Sequence, residues 1–237
     1  MEETNKPRPI ISIILPCRNE EESIGECITD IKNILGQHNI NGEIIVSDSS
    51  SDKSPEIAAS LQANIIKHDM IGYGRAYLEG FKIATGKYIF MADPDGTYNF
   101  SEIPNFLNFL NSGHDLIIGN RLKGKVHDGA MPWLHRFVGT PFLSSIFHIL
   151  YGHKIGDINC GMRAISRQAL DSLELKTTGM EFASEMIVRA VKKKLKIKEI
   201  PIDYYKRKGE SKLKTIPDGW RHLHFLLNDF ISKYNES

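Results

Sequence analysis

Between residues 10 and 121, short apolar runs rich in β-branched residues alternate with stretches whose apolar positions recur every three or four residues. Such alternation predicts repeated strand–helix units, and therefore an α/β fold with a mostly parallel sheet, helices on both faces and right-handed crossovers. The run Ile10-Ile11-Ser12-Ile13-Ile14-Leu15 is almost continuously apolar and stops at Pro16, as expected of a strand buried on both faces. A helix follows from Ile24 to Leu35, with Ser23 as its expected cap and Gly36 as its expected stop.

Further strands are predicted at 43–47, 64–67, 87–92 and 115–119, and helices at 54–61, 74–84 and 101–110. Ligands of such sheets gather where strands end, so the loops after Leu15, Val46, Ala92 and Gly119 are the ones to inspect. Beyond Arg121 the rhythm breaks into an irregular stretch at 122–132, an apolar helix, a Gly-rich turn at 156–161, a helix at 182–193 and a strand at 197–203. This second half reads as an appendage over the sheet edge within a single domain.

Thirty basic and 29 acidic side chains leave a net charge of +1, which gives no reason to expect a nucleic-acid partner. The distribution is uneven, however: residues 189–221 carry 12 Lys or Arg against 4 Asp or Glu, a local +8. Three cysteines at 17, 27 and 160 form no CxxC pair and suit a reduced, cytoplasmic setting. The first ten residues lack the apolar core of a signal peptide, and the most apolar window, 137–151, is interrupted by Thr140, Ser144, Ser145 and His148.

Polar clusters stand at the strand ends. Tyr88 to Ala92 runs into Asp93-Pro94-Asp95-Gly96, where Pro and Gly favour a turn that lets both carboxylates converge. Paired acids there suit a hard divalent cation, Mg²⁺ or Mn²⁺, which in turn suits a diphosphate. Pro16-Cys17-Arg18-Asn19-Glu20 and Ser47-Asp48-Ser49-Ser50-Ser51-Asp52 end two other strands, although each alone fits an ordinary turn. Gly72-Tyr73-Gly74 lacks the third glycine and lysine of a phosphate loop and is read as a helix start.

In order along the chain, these pieces resemble the family 2 glycosyltransferases, and within them the polyprenyl-phosphate (dolichyl-phosphate) mannose and glucose synthases. Pro16 with Asn19-Glu20 matches P-x-x-N-E; residues 46–52 resemble V-D-D-x-S-x-D; Asp93-Pro94-Asp95 looks like the D-x-D element. Gly119-Asn120-Arg121, Cys160 to Ala164, Glu181 to Glu185 and Gly209 to Leu213 follow in family order. Ser47 and Arg18 depart from the usual pattern.

The resemblance implies a Rossmann-like GT-A fold divided into a tail (1–9), a nucleotide-sugar-binding half (10–121), an acceptor-binding half (122–216) and a C-terminal amphipathic helix (217–237). It implies that Pro16, Asn19, Glu20 and Asp48 hold the nucleotide, with Asp93 beside ribose and diphosphate and the metal on Asp93 and Asp95. Arg121, Arg163 and Lys212 would neutralise phosphate charge and, with Asp95, form the catalytic set.

An acceptor phosphate is already anionic and needs only orientation, whereas a sugar hydroxyl needs a general base. The cations Lys206-Arg207-Lys208 and Lys212 fit the first case. The expected reaction is inverting transfer of mannose or glucose from a GDP- or UDP-linked donor to polyprenyl phosphate. Transfer to a hydroxyl with Glu185 or Asp157 as base, or a non-catalytic nucleotide-binding subunit, are the alternatives. Apolar stripes at 132–151 and 220–231 suit either core packing or peripheral contact with the cytoplasmic membrane face. The chain is expected to act peripherally, through a membrane-anchoring partner protein, or on a soluble acceptor.

Overall fold

The structure, a computed structural model, describes residues 7–209, 211–212 and 215–235, the last three for their backbone alone. Residues 1–6 of the tail, and Glu210 and Leu213 of the Gly209 to Leu213 element, lie outside the described residues.

Seven strands form one sheet in the order β3-β2-β1-β4-β6-β5-β7. Strand β1 (Ile11–Cys17) lies between β2 (Gly42–Asp48) and β4 (Tyr88–Met91), parallel to both. Its Ile11, Ile13, Ile14 and Leu15 are wholly buried because helices cover both faces. Outward from β2 lies β3 (Asn64–Lys67), short and only partly covered, as an edge strand should be.

The connecting helices are α1 (Ile24–Gln37), α2 (Ser54–Ser60), α3 (Tyr73–Ile83) and α4 (Ile103–Asn111), the last preceded by a 3₁₀ turn at Phe100–Glu102. Helix α1 buries Ile24, Cys27, Ile28, Ile31 and Leu35, the stripe its sequence spacing predicts. Two details differ from the sequence reading. The Ser23 hydroxyl does not cap α1; it donates to the Pro94 carbonyl at 2.7 Å and ties the helix start to the acidic turn. The helix also runs through Gly36, and the chain reverses instead at Asn39, whose φ of 51° an asparagine tolerates.

The chain leaves β1 toward β2 and β3, then returns to β4 on the other side. The crevice between the ends of β1 and β4 is therefore the sheet's topological switch point, where open α/β sheets bind ligands.

The second half contributes more to the sheet than an appendage would. Strand β5 (Leu116–Asn120) pairs in parallel with β7 (Ile197–Pro201), and between β4 and β5 lies β6 (Arg163–Ser166), antiparallel to both. The four residues of β6 begin with a charged side chain, so neither length nor periodicity marks them as a central strand; neighbours on both sides complete their hydrogen bonds. Helices α5 (Thr140–Tyr151), α6 (Arg167–Leu173), α7 (Phe182–Lys192) and α8 (Thr215–Asn235) complete the fold. A π-helical turn at His135–Gly139 leads into α5.

A candidate donor site at the switch point

A cleft opens at the ends of β1 and β4, lined by Pro16, Cys17, Arg18 and Glu20 on one side and Asp93, Pro94 and Asp95 on the other. Its further wall comes from residues distant in sequence: Tyr73 at the start of α3, Met180 before α7, Arg207 and Lys212 after β7, and Asp218 and Arg221 on α8.

The acids are fixed by their own turn. Asp95 is almost wholly buried, and its Oδ1 accepts bonds from the Thr97 amide at 3.0 Å and the Thr97 hydroxyl at 2.6 Å. Its Oδ2 lies 2.5 Å from Nη2 of Arg207. Gly96, with φ of 78°, makes the reversal that brings Thr97 back onto Asp95. Burial, then the charge of Asp95, pushes the Asp93 carboxyl up to about 7, against the pull of Arg207, Arg121 and the Tyr73 hydroxyl.

Gly161 makes room for this acid. A Cβ there would stand 2.8 Å from Asp93 Oδ2 and 2.9 Å from the Tyr73 hydroxyl, while the Gly161 amide donates to the Tyr98 hydroxyl at 2.9 Å. Gly72 does the corresponding work at the start of α3: with φ of 150°, it passes so close to Thr178 that a Cβ would lie 2.3 Å from that carbonyl oxygen. The Gly72-Tyr73-Gly74 segment is thus a helix start, and it delivers Tyr73 to Asp93.

The other expected nucleotide ligands divide into two groups. Pro16 and Glu20 line the cleft, and Glu20 forms an ion pair with Lys212; burial raises its pKa, and Lys212 pulls it back. Asn19 is a staple rather than a cleft residue. At φ of 55°, its amide donates to Ser50 Oγ at 2.8 Å and its Oδ1 accepts the Ser51 amide at 2.8 Å, joining the turn after β1 to the turn after β2. Asp48 is buried behind the surface and accepts the Ser50 amide at 3.3 Å, leaving Ser49 as the residue of that turn that reaches the cleft.

Two expected phosphate ligands are committed elsewhere. Arg163 is 1% exposed and donates to three carbonyls: Cys160 at 2.8 Å, Ala183 at 2.7 Å and Ile158 at 2.8 Å. It braces the turn that carries Gly161 and does not line the cleft. Arg121 grips Asp157 through two bonds of 2.7 Å and stacks its guanidinium over Tyr204. The resemblance expects both arginines to neutralise phosphate; in the structure their guanidinium groups are bonded to Asp157 and to buried carbonyls instead.

The alternative general bases fail on similar grounds. Both Asp157 oxygens belong to Arg121. Glu185 is 1% exposed and accepts bonds from the Lys176 and Thr177 amides and the Thr177 hydroxyl. Tyr73, Met180, Asp218 and Arg221 were not marked as cleft residues by the sequence reading; only the neighbouring motif glycines and the start of the C-terminal stripe hint at them.

The pattern of the glycosyl transferase family 2 domain matches residues 12–174. The chain belongs to glycosyl transferase family 2. This family 2 chain is 47% identical over 220 residues to the low-salt glycan biosynthesis hexosyltransferase Agl6 of Haloferax volcanii, a match covering 92% of this chain and 53% of that one. It thus spans about half the length of that relative. A dolichyl-phosphate hexose transferase of the same organism is 30% identical, over 88% of this chain and 89% of its own. Among solved structures, the fold is similar to glucosyl-3-phosphoglycerate synthase from Mycobacterium tuberculosis in complex with Mn²⁺ and UDP, with a TM-score of 0.75 and 20% identity over 93% of this chain and 79% of that one. Mannosyl-3-phosphoglycerate synthase from Rubrobacter xylanophilus gives a TM-score of 0.78 at 14% identity, over 95% and 75% of the two chains. These likenesses establish the GT-A fold.

Proposed function

We propose that the chain transfers a hexose, with inversion, from a nucleotide diphosphate sugar to the phosphate of a polyprenyl phosphate. The observation that carries this reading is the composition of the cleft. Asp157 and Glu185, the two carboxylates expected as base toward a hydroxyl, are tied into the fold, whereas Arg207, Lys212 and Arg221 face the cavity. A phosphate monoester needs cations to orient it and no base to activate it. Its oxygen attacks the anomeric carbon from the face opposite the nucleotide, the bond from that carbon to the diphosphate oxygen breaks, and the nucleoside diphosphate leaves.

Asp93 and Asp95 fit a divalent cation that is shared with the donor. Among the described residues no three His, Cys, Asp or Glu side chains are close enough to cage a metal by themselves. Mg²⁺ and Mn²⁺ commonly take one or two carboxylates and complete their shell with substrate phosphates and water, which two adjacent acids can satisfy. When bound, the ion would offset the charge developing on the departing diphosphate. The protein itself keeps Asp95 aimed through Thr97 and holds Asp93 against Tyr73.

The lipid part of the reading rests on an apolar rim. Trp133 and Leu134 just before the π-helical turn, Phe137 within it, and Phe142 and Ile149 on α5 are exposed, as are Ile216, Trp220 and Ile231 on α8. A bond of 2.9 Å between His135 Nε2 and Thr215 Oγ1 joins the two groups, and α8 carries the rim to the cleft through Arg221. Exposed aromatic and aliphatic clusters of this kind suit an isoprenoid chain or the bilayer interface. Among the described residues no helix is long and apolar enough to cross a membrane.

The test is incubation with labelled UDP-glucose or GDP-mannose and polyprenyl phosphate in detergent, followed by organic extraction, with 3-phosphoglycerate as a soluble acceptor in a parallel arm. Label in the organic phase is expected. Label only on the soluble acceptor would overturn the lipid assignment, and release of label from no donor would overturn the transferase reading.

A further inference from the structure

The cations of the cleft are already paired with the acids that the donor requires. Arg207 lies on Asp95 Oδ2 at 2.5 Å, and Lys212 pairs with Glu20 and donates to the Asn19 carbonyl at 3.0 Å. These contacts are not chance meetings of surface side chains: the Asp95 and Glu20 side chains are 2% and 8% exposed. The backbone beneath Arg207 is registered on the acidic turn by the Tyr205 amide to the Thr97 carbonyl at 3.0 Å and the Lys208 amide to the Asp95 carbonyl at 2.9 Å. Arg207 is therefore presented to Asp95 by the main chain on both sides of it.

We propose that Arg207 and Lys212 are placeholder cations, which neutralise Asp95 and Glu20 until metal and nucleotide diphosphate arrive and then transfer to phosphate oxygens. This rests on the donor-site reading given above. The exchange is balanced in charge. A divalent ion arriving alone must displace Arg207 from a nearly buried carboxylate and crowd the guanidinium with a second cation, which is costly. A diphosphate arriving with the ion offers Arg207 oxygens in place of the one it gives up, and offers Lys212 the same exchange for Glu20. The Thr97 bonds keep Asp95 Oδ1 in place throughout, so only side chains need to move.

Metal and nucleotide binding should consequently be positively coupled, each strengthening the other by the same factor. A positioning role of this kind predicts an effect that simple loss of a phosphate ligand would not: removing Arg207 should improve binding of the metal by itself. Loss of Lys212 should weaken the coupling less, because the Glu20 it neutralises is separate from the metal position.

The experiment is titration of Mn²⁺, followed by the paramagnetic resonance signal of the free ion, into the full chain without nucleotide and with UDP or GDP. In the unaltered protein, Mn²⁺ alone should bind weakly and bind about 10-fold to 100-fold more tightly with the matching nucleoside diphosphate, after subtraction of Mn²⁺ held by nucleotide in solution. Arg207→Gln should bind Mn²⁺ alone about tenfold more tightly than the unaltered protein and keep only a few-fold coupling. Arg207→Lys should stay close to the unaltered protein. An Arg207→Gln variant that binds Mn²⁺ alone no better, or keeps full coupling, would overturn the exchange while leaving the donor site standing. If the unaltered protein binds Mn²⁺ with neither nucleotide, the donor-site reading itself falls and takes this proposal with it; a circular-dichroism spectrum of each variant guards against misfolding as the cause.

Discussion

The acidic and basic walls of the cleft are anchored in different ways. Asp93 and Asp95 follow a wholly buried four-residue strand in the centre of the sheet, and the Asp95 carboxylate is held by hydrogen bonds two residues away. Arg207 and Lys212 lie on the segment between β7 and α8, where the bonds from the Tyr205 and Lys208 amides supply the register. The Asp95 carboxylate is thus preorganised by hydrogen bonds within its own turn, while the cations depend on long-range contacts. Preorganised groups suit a site whose position must not vary, and loosely held ones suit groups that change partners during a reaction cycle.

The largest expected effect tests the rigid wall. Asp95→Asn keeps the size of the side chain and its Thr97 bonds but removes the charge that faces Arg207, so turnover should fall by about 100-fold or more while a circular-dichroism spectrum shows the fold retained. Undiminished turnover would remove the metal from Asp95. Next comes Arg163, which carries the motif charge but not the cleft chemistry. Arg163→Met should cost about 3–5 kcal/mol of stability, because three buried carbonyls lose their donors at once. Denaturant unfolding measures it. A stable variant with weakened nucleotide binding would instead restore Arg163 to the phosphate.

The same division explains what could be read from the sequence. Strands β1, β2 and β4 are continuous apolar runs ended by polar turns, so both their burial and the position of the crevice follow from local pattern. The acids at 93 and 95 follow too, because Pro94 and Gly96 specify the turn. Strand β6 does not, since its four residues are strand only by virtue of the neighbours they meet. Nor can a motif arginine declare whether it faces a ligand or a carbonyl: Arg121 and Arg163 sit in matching motifs, yet their distant partners, Asp157 and Ala183, are set by tertiary packing. Arg221 and Met180 reach the cleft only through the docking of α7 and α8, which no local spacing encodes.

That docking should be sensitive to acid. His222 on α8 is buried against Ser184 on α7, with Nδ1 2.7 Å from the hydroxyl; burial first, and then the charge of Arg163, lower its pKa to about 4 against a weaker opposing pull from Asp218. The folded protein therefore binds fewer protons than the unfolded chain between the ordinary histidine value near 6.5 and about 4. Stability should fall as pH drops through that window, by on the order of 3 kcal/mol at its lower end. His222→Gln should flatten this part of the stability profile. An unchanged profile would mean that α8 is held by its other contacts, such as Asp229 with Lys192 and Tyr151.

The smallest expected effect marks where the basic wall stops mattering. Lys208 follows Arg207 directly, yet its side chain turns away from the cleft to pair with Glu26 on α1. That pair is 46% and 61% exposed, so water screens it and both side chains give up freedom to form it. What fixes position 208 is its amide on the Asp95 carbonyl, which a side-chain change leaves intact. Glu26→Gln should accordingly alter neither the melting temperature nor Mn²⁺ and nucleotide titrations beyond experimental error. A clear loss of nucleotide binding would show that the strap is held by its side chains as well as by its backbone, and the contrast between a fixed acidic wall and exchangeable cations would have to include α1.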